Sequence, residues 1–138
     1  MASGHALIFF KDLPTGAATG LTDAAGNELG PVDLSLPQAE AYTKGFLLSP
    51  KAIDHILVGL CSQGCEARIS LEMSPDGENW CPCILSDGNQ CLVDCNPSIS
   101  DCSAQTVDVS VLHYVRIKID QVTVSNGLCT AMLTYTLN

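Results

Sequence analysis

At 138 residues the chain is long enough for one domain with a real core and too short for two comfortable ones. Six Lys and Arg against fifteen Asp and Glu leave a formal charge of -9. That balance repels phosphate backbones, and the scattered cations (Lys11, Lys44, Lys51, Arg68, Arg116, Lys118) form no basic patch, which disfavours nucleic acid and anionic lipid as partners.

Eleven Gly, seven Pro and a charged fraction of 15% accompany a surplus of Val, Ile, Leu and Thr over strong helix formers. Short strands joined by tight turns follow, so the expected fold is all-β.

The N-terminal stretch MASGHALIFFKDLP has no basic n-region, and its apolar run from Ala6 to Phe10 falls short of the about 7 to 15 residues of a signal-peptide core. No run approaches the about 18 apolar residues of a membrane helix. A soluble chain made in the cytosol, with no membrane span, is expected. Residues 1–40 read as an N-terminal arm with a strand near Ala6 to Phe10, in which PTGAATG and AAGNELG form turns. Two accounts of this segment stand: an extended arm lying on a neighbouring subunit, or a loop-rich first hairpin of the same domain. A short helical turn near Pro37 to Tyr42 is compatible with either.

Residues 41–138 read as a β-sandwich domain with Cys-rich loops. GFLLS and IDHILVGL are apolar runs separated by the Pro50 turn. ARISLEM alternates strictly, with Ala67, Ile69, Leu71 and Met73 on one face and Arg68, Ser70 and Glu72 on the other, the pattern of a half-buried strand. SPDGENW ends it, because Pro presets its backbone angle and Gly accepts the positive φ of a tight turn. Trp80 is expected to begin the return strand and pack a core face.

Asp87-Gly88 and Asn126-Gly127 are further hairpin-type dipeptides. The second is expected to join HYVRIKIDQVTV to LCTAMLTYTL as a C-terminal hairpin. In the first of these strands Val115, Ile117 and Ile119 share a face; in the other Cys129, Ala131, Leu133, Tyr135 and Leu137 do. With TVDVSV ahead of them, the total is about eight or nine short strands, an antiparallel β-sandwich or jelly-roll-like barrel.

Eight cysteines are unusual for a chain made where thiols stay reduced. Cys61, Cys65, Cys81, Cys83, Cys91, Cys95 and Cys102 cluster, and Cys129 stands apart. Their spacings, CSQGC, CPC and CLVDC, are not the C-x2-C pairs of structural zinc sites, so disulfides are favoured over metal. All eight are candidate disulfide cysteines. Cys81 and Cys83 are too close to bridge one another without strain, whereas Cys61 with Cys65, Cys91 with Cys95, or ladders between neighbouring segments all remain open. Their role would be to pin the loop-rich Cys81 to Cys102 region, each closed loop contributing about 2 to 4 kcal/mol.

Redox catalysis would need a C-x-x-C at a helix start, which is absent from the sequence. His55 and His113 lie in strand-like runs, where a packed or surface histidine is the commoner finding, and no nucleophile signature accompanies them. Asp87, Asp94 and Asp101 lack the D-x-D-x-D-G pattern of a calcium loop and read as a solvated acidic face. No phosphate loop, G-x-S-x-G elbow or H-E-x-x-H occurs. The chain is therefore expected not to be an enzyme and to carry no cofactor and no metal.

LEMSPDGENW, HYVRIKI and TAMLTYTLN together follow a pattern of an LxxSxDGxNW hairpin, an xYVRxKx strand, an Asn-Gly turn and a Thr-rich last strand. Over Gly45 to Asn138 the chain thereby resembles small β-sandwich virion proteins of tailed bacteriophages, of the head decoration or cement type. The resemblance implies a structural protein on the capsid exterior, synthesised in the host cytoplasm, whose partners are the major capsid protein and copies of itself, commonly as a trimer with its arm on neighbours. The cysteine cluster departs from the usual pattern. Release by lysis into oxidising surroundings would nonetheless let disulfides form.

The alternative is a carbohydrate- or receptor-binding β-sandwich module of a phage tail or fibre, or of a cell surface. Sugar recognition uses exposed aromatics, and this chain has one Trp, three Tyr and three Phe, mostly at apolar strand positions. The decoration reading is preferred for that reason.

Overall fold

The computed structural model describes residues 3–34, 41–47, 53–63, 67–83, 92–95, 101–107, 114–122 and 127–137. Among these residues there are ten strands and no helix: β1 (Ser3–Pro14), β2 (Ala41–Tyr42), β3 (Phe46–Leu47), β4 (Ile53–Gln63), β5 (Ala67–Ser74), β6 (Cys81–Pro82), β7 (Leu92–Cys95), β8 (Asp101–Val107), β9 (Tyr114–Val122) and β10 (Leu128–Leu137). All recorded pairings are antiparallel. A four-stranded sheet runs β1-β10-β4-β8. A six-stranded sheet is centred on β9 and β5, with β2 and β3 sharing the outer edge of β9, and β6 and β7 that of β5. The all-β, antiparallel expectation holds; the two sheets remain open, as in a sandwich, rather than closing into a barrel.

One apolar core joins the sheets. Phe9 and Leu13 of β1 and Cys129, Ala131 and Leu133 of β10 meet Ile69 and Leu71 of β5 and Val115, Ile117 and Ile119 of β9. Phe9 packs edge-to-face on Phe46, ring centroids 5.6 Å apart, tying β1 to β3. The alternation in the sequence thus identifies Ile69, Leu71, Val115, Ile117, Ile119, Cys129, Ala131 and Leu133 as inward residues; the side chains of Ala67, Tyr135 and Leu137 lie outside the described ones.

Two expectations change. β9 and β10 do not form a hairpin, since β9 pairs with β2, β3 and β5 while β10 pairs with β1 and β4 in the other sheet. Gly127 hydrogen-bonds with Thr15 instead, its N–H donating to Thr15 Oγ1 at 2.9 Å and its carbonyl accepting from the Thr15 N–H at 3.0 Å. Each strand needed an apolar partner face, and the facing sheet supplied it as well as a neighbouring strand would.

Nor is β5 half-buried: Ser70 and Glu72 are buried alongside Ile69 and Leu71, because the central strand is covered on both faces. The N-terminal segment, for which two accounts stood, is tied to the sheet. It pairs with β10 from Ser3 to Pro14, and Ala18, Leu21 and Leu34 of the following loop belong to the common core. These contacts match the account in which the segment is part of the same unit. Ala41–Tyr42 is strand; the rest of the suggested helical turn, the Asp87-Gly88 turn, His113, Cys65 and Cys91 lie outside the described residues.

Candidate functional site

The register of β5 against β9 sets Glu72 directly opposite Arg116. Arg116 Nε donates to Glu72 Oε1 at 2.7 Å and Nη1 donates to the Ala24 carbonyl at 3.1 Å. The guanidinium, in a residue only 5% exposed, lies between two rings, 4.1 Å from the centroid of Tyr42 and 4.4 Å from that of Trp80. A planar cation stacked on both faces and held at its edges is fixed in position and orientation.

Trp80 therefore does not begin the return strand, which starts at Cys81, nor does it enter the core. It is half-buried and covers the outer side of the six-stranded sheet. Its indole lies so close to Gly45 that a Cβ there would sit 2.8 Å from Cζ2 and 2.9 Å from Cη2.

Two turns flank the stack, built alike. In the first, Asp23 Oδ1 accepts from the N–H groups of Ala25 (3.0 Å) and Asn27 (2.9 Å), while Asn27 Nδ2 donates to Oδ2 at 3.2 Å. In the second, Asp76 Oδ1 accepts from Glu78 and Asn79, both at 2.8 Å, and Asn79 Nδ2 donates to Oδ2 at 2.6 Å. Ser74 Oγ further accepts from the Gly77 N–H at 2.8 Å. Gly26 (φ 89°) and Gly77 (φ 81°) supply the left-handed backbone that each turn requires. Hydrogen bonds to the charged form hold both carboxyls below the usual carboxylate range, the Asn79 and Asn27 N–H groups contributing most.

Between the turns opens a cleft of about 410 Å³, lined by Thr22, Ala24, Gly26, Lys44, Glu78, Trp80 and Arg116 among others. Its walls carry a cation, a carboxylate, an indole and a guanidinium. Sequence reading missed this site, because Glu72 and Arg116 were assigned to outward faces. The signal was present, as opposite charges on matching alternation positions of two strands, but became legible only once those strands were known to pair.

A second feature is the outer face of the four-stranded sheet. On β1 and β10 it presents Ala6, Ile8, Leu128, Thr130, Met132 and Thr134, with Ile8 48% exposed. The backbone of β4 and then of β8 continues the sheet beside them. None of the named side chains is charged. Lys11, Asp12 and Asp54 fall only at irregularities in the pairing near its corners.

The candidate disulfide cysteines divide. Cys81 is an exposed free thiol and Cys83 a buried one. Burial raises the Cys83 pKa, and the neighbouring Cys81 adds to this. Cys129 is a buried thiol that donates to the Leu13 carbonyl at 3.9 Å. Cys61 stands opposite Cys102 between β4 and β8, and Cys95 opposite Ala67 between β7 and β5. His55 lies in β4, Asp94 in β7 and Asp101 in β8, on three separate strands.

Compared with protein-family models, curated proteins and solved structures, the chain shows no match to any of them.

Proposed function

We propose that this chain is a structural virion protein, a decoration or cement protein that stiffens the outside of a tailed-phage capsid. The observation that carries the reading is the uncharged outer face that β1 and β10 present in a chain of formal charge -9. Copies of so acidic a protein repel one another over most of their surface, whereas this face presents apolar and Thr positions without that cost. Four strands about 4.8 Å apart, with about 9 residues each at about 3.4 Å, cover roughly 600 Å². That approaches the about 800 Å² per partner of a stable protein interface. Its partners on this reading are the major capsid protein and further copies of itself; its action is adhesion without turnover.

The same reading gives one pair of cysteines a role. Exposure to oxidising surroundings after lysis would let Cys61 and Cys102 bridge β4 to β8, since directly opposed antiparallel residues fall within the Cα separation of a disulfide. Non-reducing mass spectrometry of the particle would then find these two residues in one linked peptide pair.

Cryo-electron microscopy of the parent particle tests the proposal. Density for this chain on the capsid exterior is expected; its absence there rejects the assignment. Ile8→Glu and Met132→Glu should each abolish binding to bare shells while leaving the isolated protein folded.

A further inference from the structure

We propose that Met73, Cys81 and Cys83 form a binding site for a soft monovalent metal ion of the copper(I) class, at the β6 edge of the six-stranded sheet. Three observations carry this, and none depends on the role on a shell.

The first is register. β6 lies antiparallel to β5 with Cys81 opposite Met73 and Pro82 opposite Glu72. The Cys83 N–H extends the pairing by donating to the Leu71 carbonyl at 2.9 Å. Directly opposed residues project to one face of a sheet, and so do residues two apart on one strand. Glu72 turns outward to Arg116, so Met73, Cys81 and Cys83 belong to the opposite, inner face. Opposed Cβ atoms stand about 5 Å apart and diagonal ones about 7 Å, a span that a long unbranched Met side chain covers. Three sulfur atoms are thus brought to one corner of the sheet.

The second is chemical state and access. Cys81 and Cys83 are both free thiols, the first exposed and the second buried, and Met73 packs partly buried against the core. An ion can enter at Cys81, while burial of Cys83 keeps water from the far side of the site. The Cys81 thiol donates to the Met73 carbonyl at 3.6 Å, which holds it over β5 by a weak bond that a metal readily replaces. On binding, the two thiol protons pass to solvent, two sulfur–metal bonds form, and the thioether lends a lone pair as third ligand. No electron changes hands.

The third is selectivity. Thiolate and thioether sulfur favour copper(I), whereas zinc in a closed site takes four ligands. Among the described residues no three His, Cys, Asp or Glu side chains gather where they could hold a metal. The nearest carboxylate along the strand, Glu72, faces away and is engaged by Arg116. The donor set is therefore all sulfur and three-membered, which suits a soft monovalent ion and leaves zinc one ligand short.

Alkylation of Cys81 by iodoacetamide, read by peptide mapping of the intact reduced protein, reports on this site without interference from the other cysteines. Under anaerobic conditions, copper(I) buffered with bicinchoninate should protect Cys81, with a saturable midpoint. Met73→Leu conserves volume and should leave the thermal midpoint near that of the parent chain. It should raise the copper midpoint by about tenfold or more, since losing a ligand costs at least as much as losing an outer-shell partner. Cys83→Ala should abolish protection. Zinc at the same free concentrations should leave Cys81 reactive. Full labelling of Cys81 at saturating copper(I), an unchanged midpoint in folded Met73→Leu, or equal protection by zinc would each overturn the proposal. Binding to bare shells is measured separately, so either reading can fail while the other stands.

Discussion

Arg116 and Glu72 face one another across β9 and β5, joined by an ion pair at 2.7 Å. Both side chains are almost fully buried, so water screens the pair little. Removing one partner strands the other charge. Arg116→Ala or Glu72→Ala should each cost about 3 to 5 kcal/mol in urea unfolding. The double replacement Arg116→Met with Glu72→Leu should cost clearly less than the two single changes summed, as coupled neighbours do. Additive losses would show that the pair is not energetically linked.

The turn aspartates predict an acid limb. Asp76 and Asp23 have folded pKa values below their unfolded ones, so the stability they contribute is present above about pH 4 and lost as pH falls through the folded values. Asp120 acts in the opposite sense: burial raises its pKa, so its contribution is greatest in acid and declines as pH rises through the folded value. The denaturant midpoint should fall between pH 5 and pH 2, and Asp76→Asn should flatten that fall. An unchanged acid profile in the variant would contradict the hydrogen bonds assigned to Asp76.

Gly45 and Gly77 predict opposite kinds of failure. Gly45→Ala places a methyl group against the Trp80 ring, and overpacking of this sort costs about 1 to 3 kcal/mol with a shift in the indole emission. Gly77→Ala leaves the ring alone but strains a backbone at φ 81°, costing about 1 to 2 kcal/mol. Fluorescence separates the two, since only the first should move the emission of the folded protein.

The two faces of the four-stranded sheet should respond differently. Leu133→Ala opens a cavity in the core and should cost about 2 to 5 kcal/mol. Ile8→Ala on the outer face should change stability by no more than about 0.5 kcal/mol. Equal losses at both positions would mean that the outer face is covered within the monomer.

Thiol labelling follows burial. In the native protein, iodoacetamide followed by peptide mapping should modify Cys81 readily and leave Cys83 and Cys129 unmodified until the chain is unfolded. Rapid native labelling of Cys83 would contradict its burial.

Much of this architecture was legible in the sequence. The inward positions Val115, Ile117, Ala131 and Leu133 follow from alternation, because a strand turns successive side chains to opposite faces whatever its partners are. The turn at Asp76-Gly77 follows from local chemistry, since an Asp side chain and a residue free to adopt positive φ define a turn without help from the rest of the chain.

Only the tertiary structure decided which sheet each strand joined. An inward face is satisfied equally by a neighbouring strand or by the opposite sheet, so alternation could not separate a β9-β10 hairpin from the crossing that occurs. The same limit concealed the site. Burial of Arg116 depends on Glu72, Tyr42, Trp80 and the Ala24 carbonyl converging from four distant parts of the chain, and no local pattern encodes that meeting.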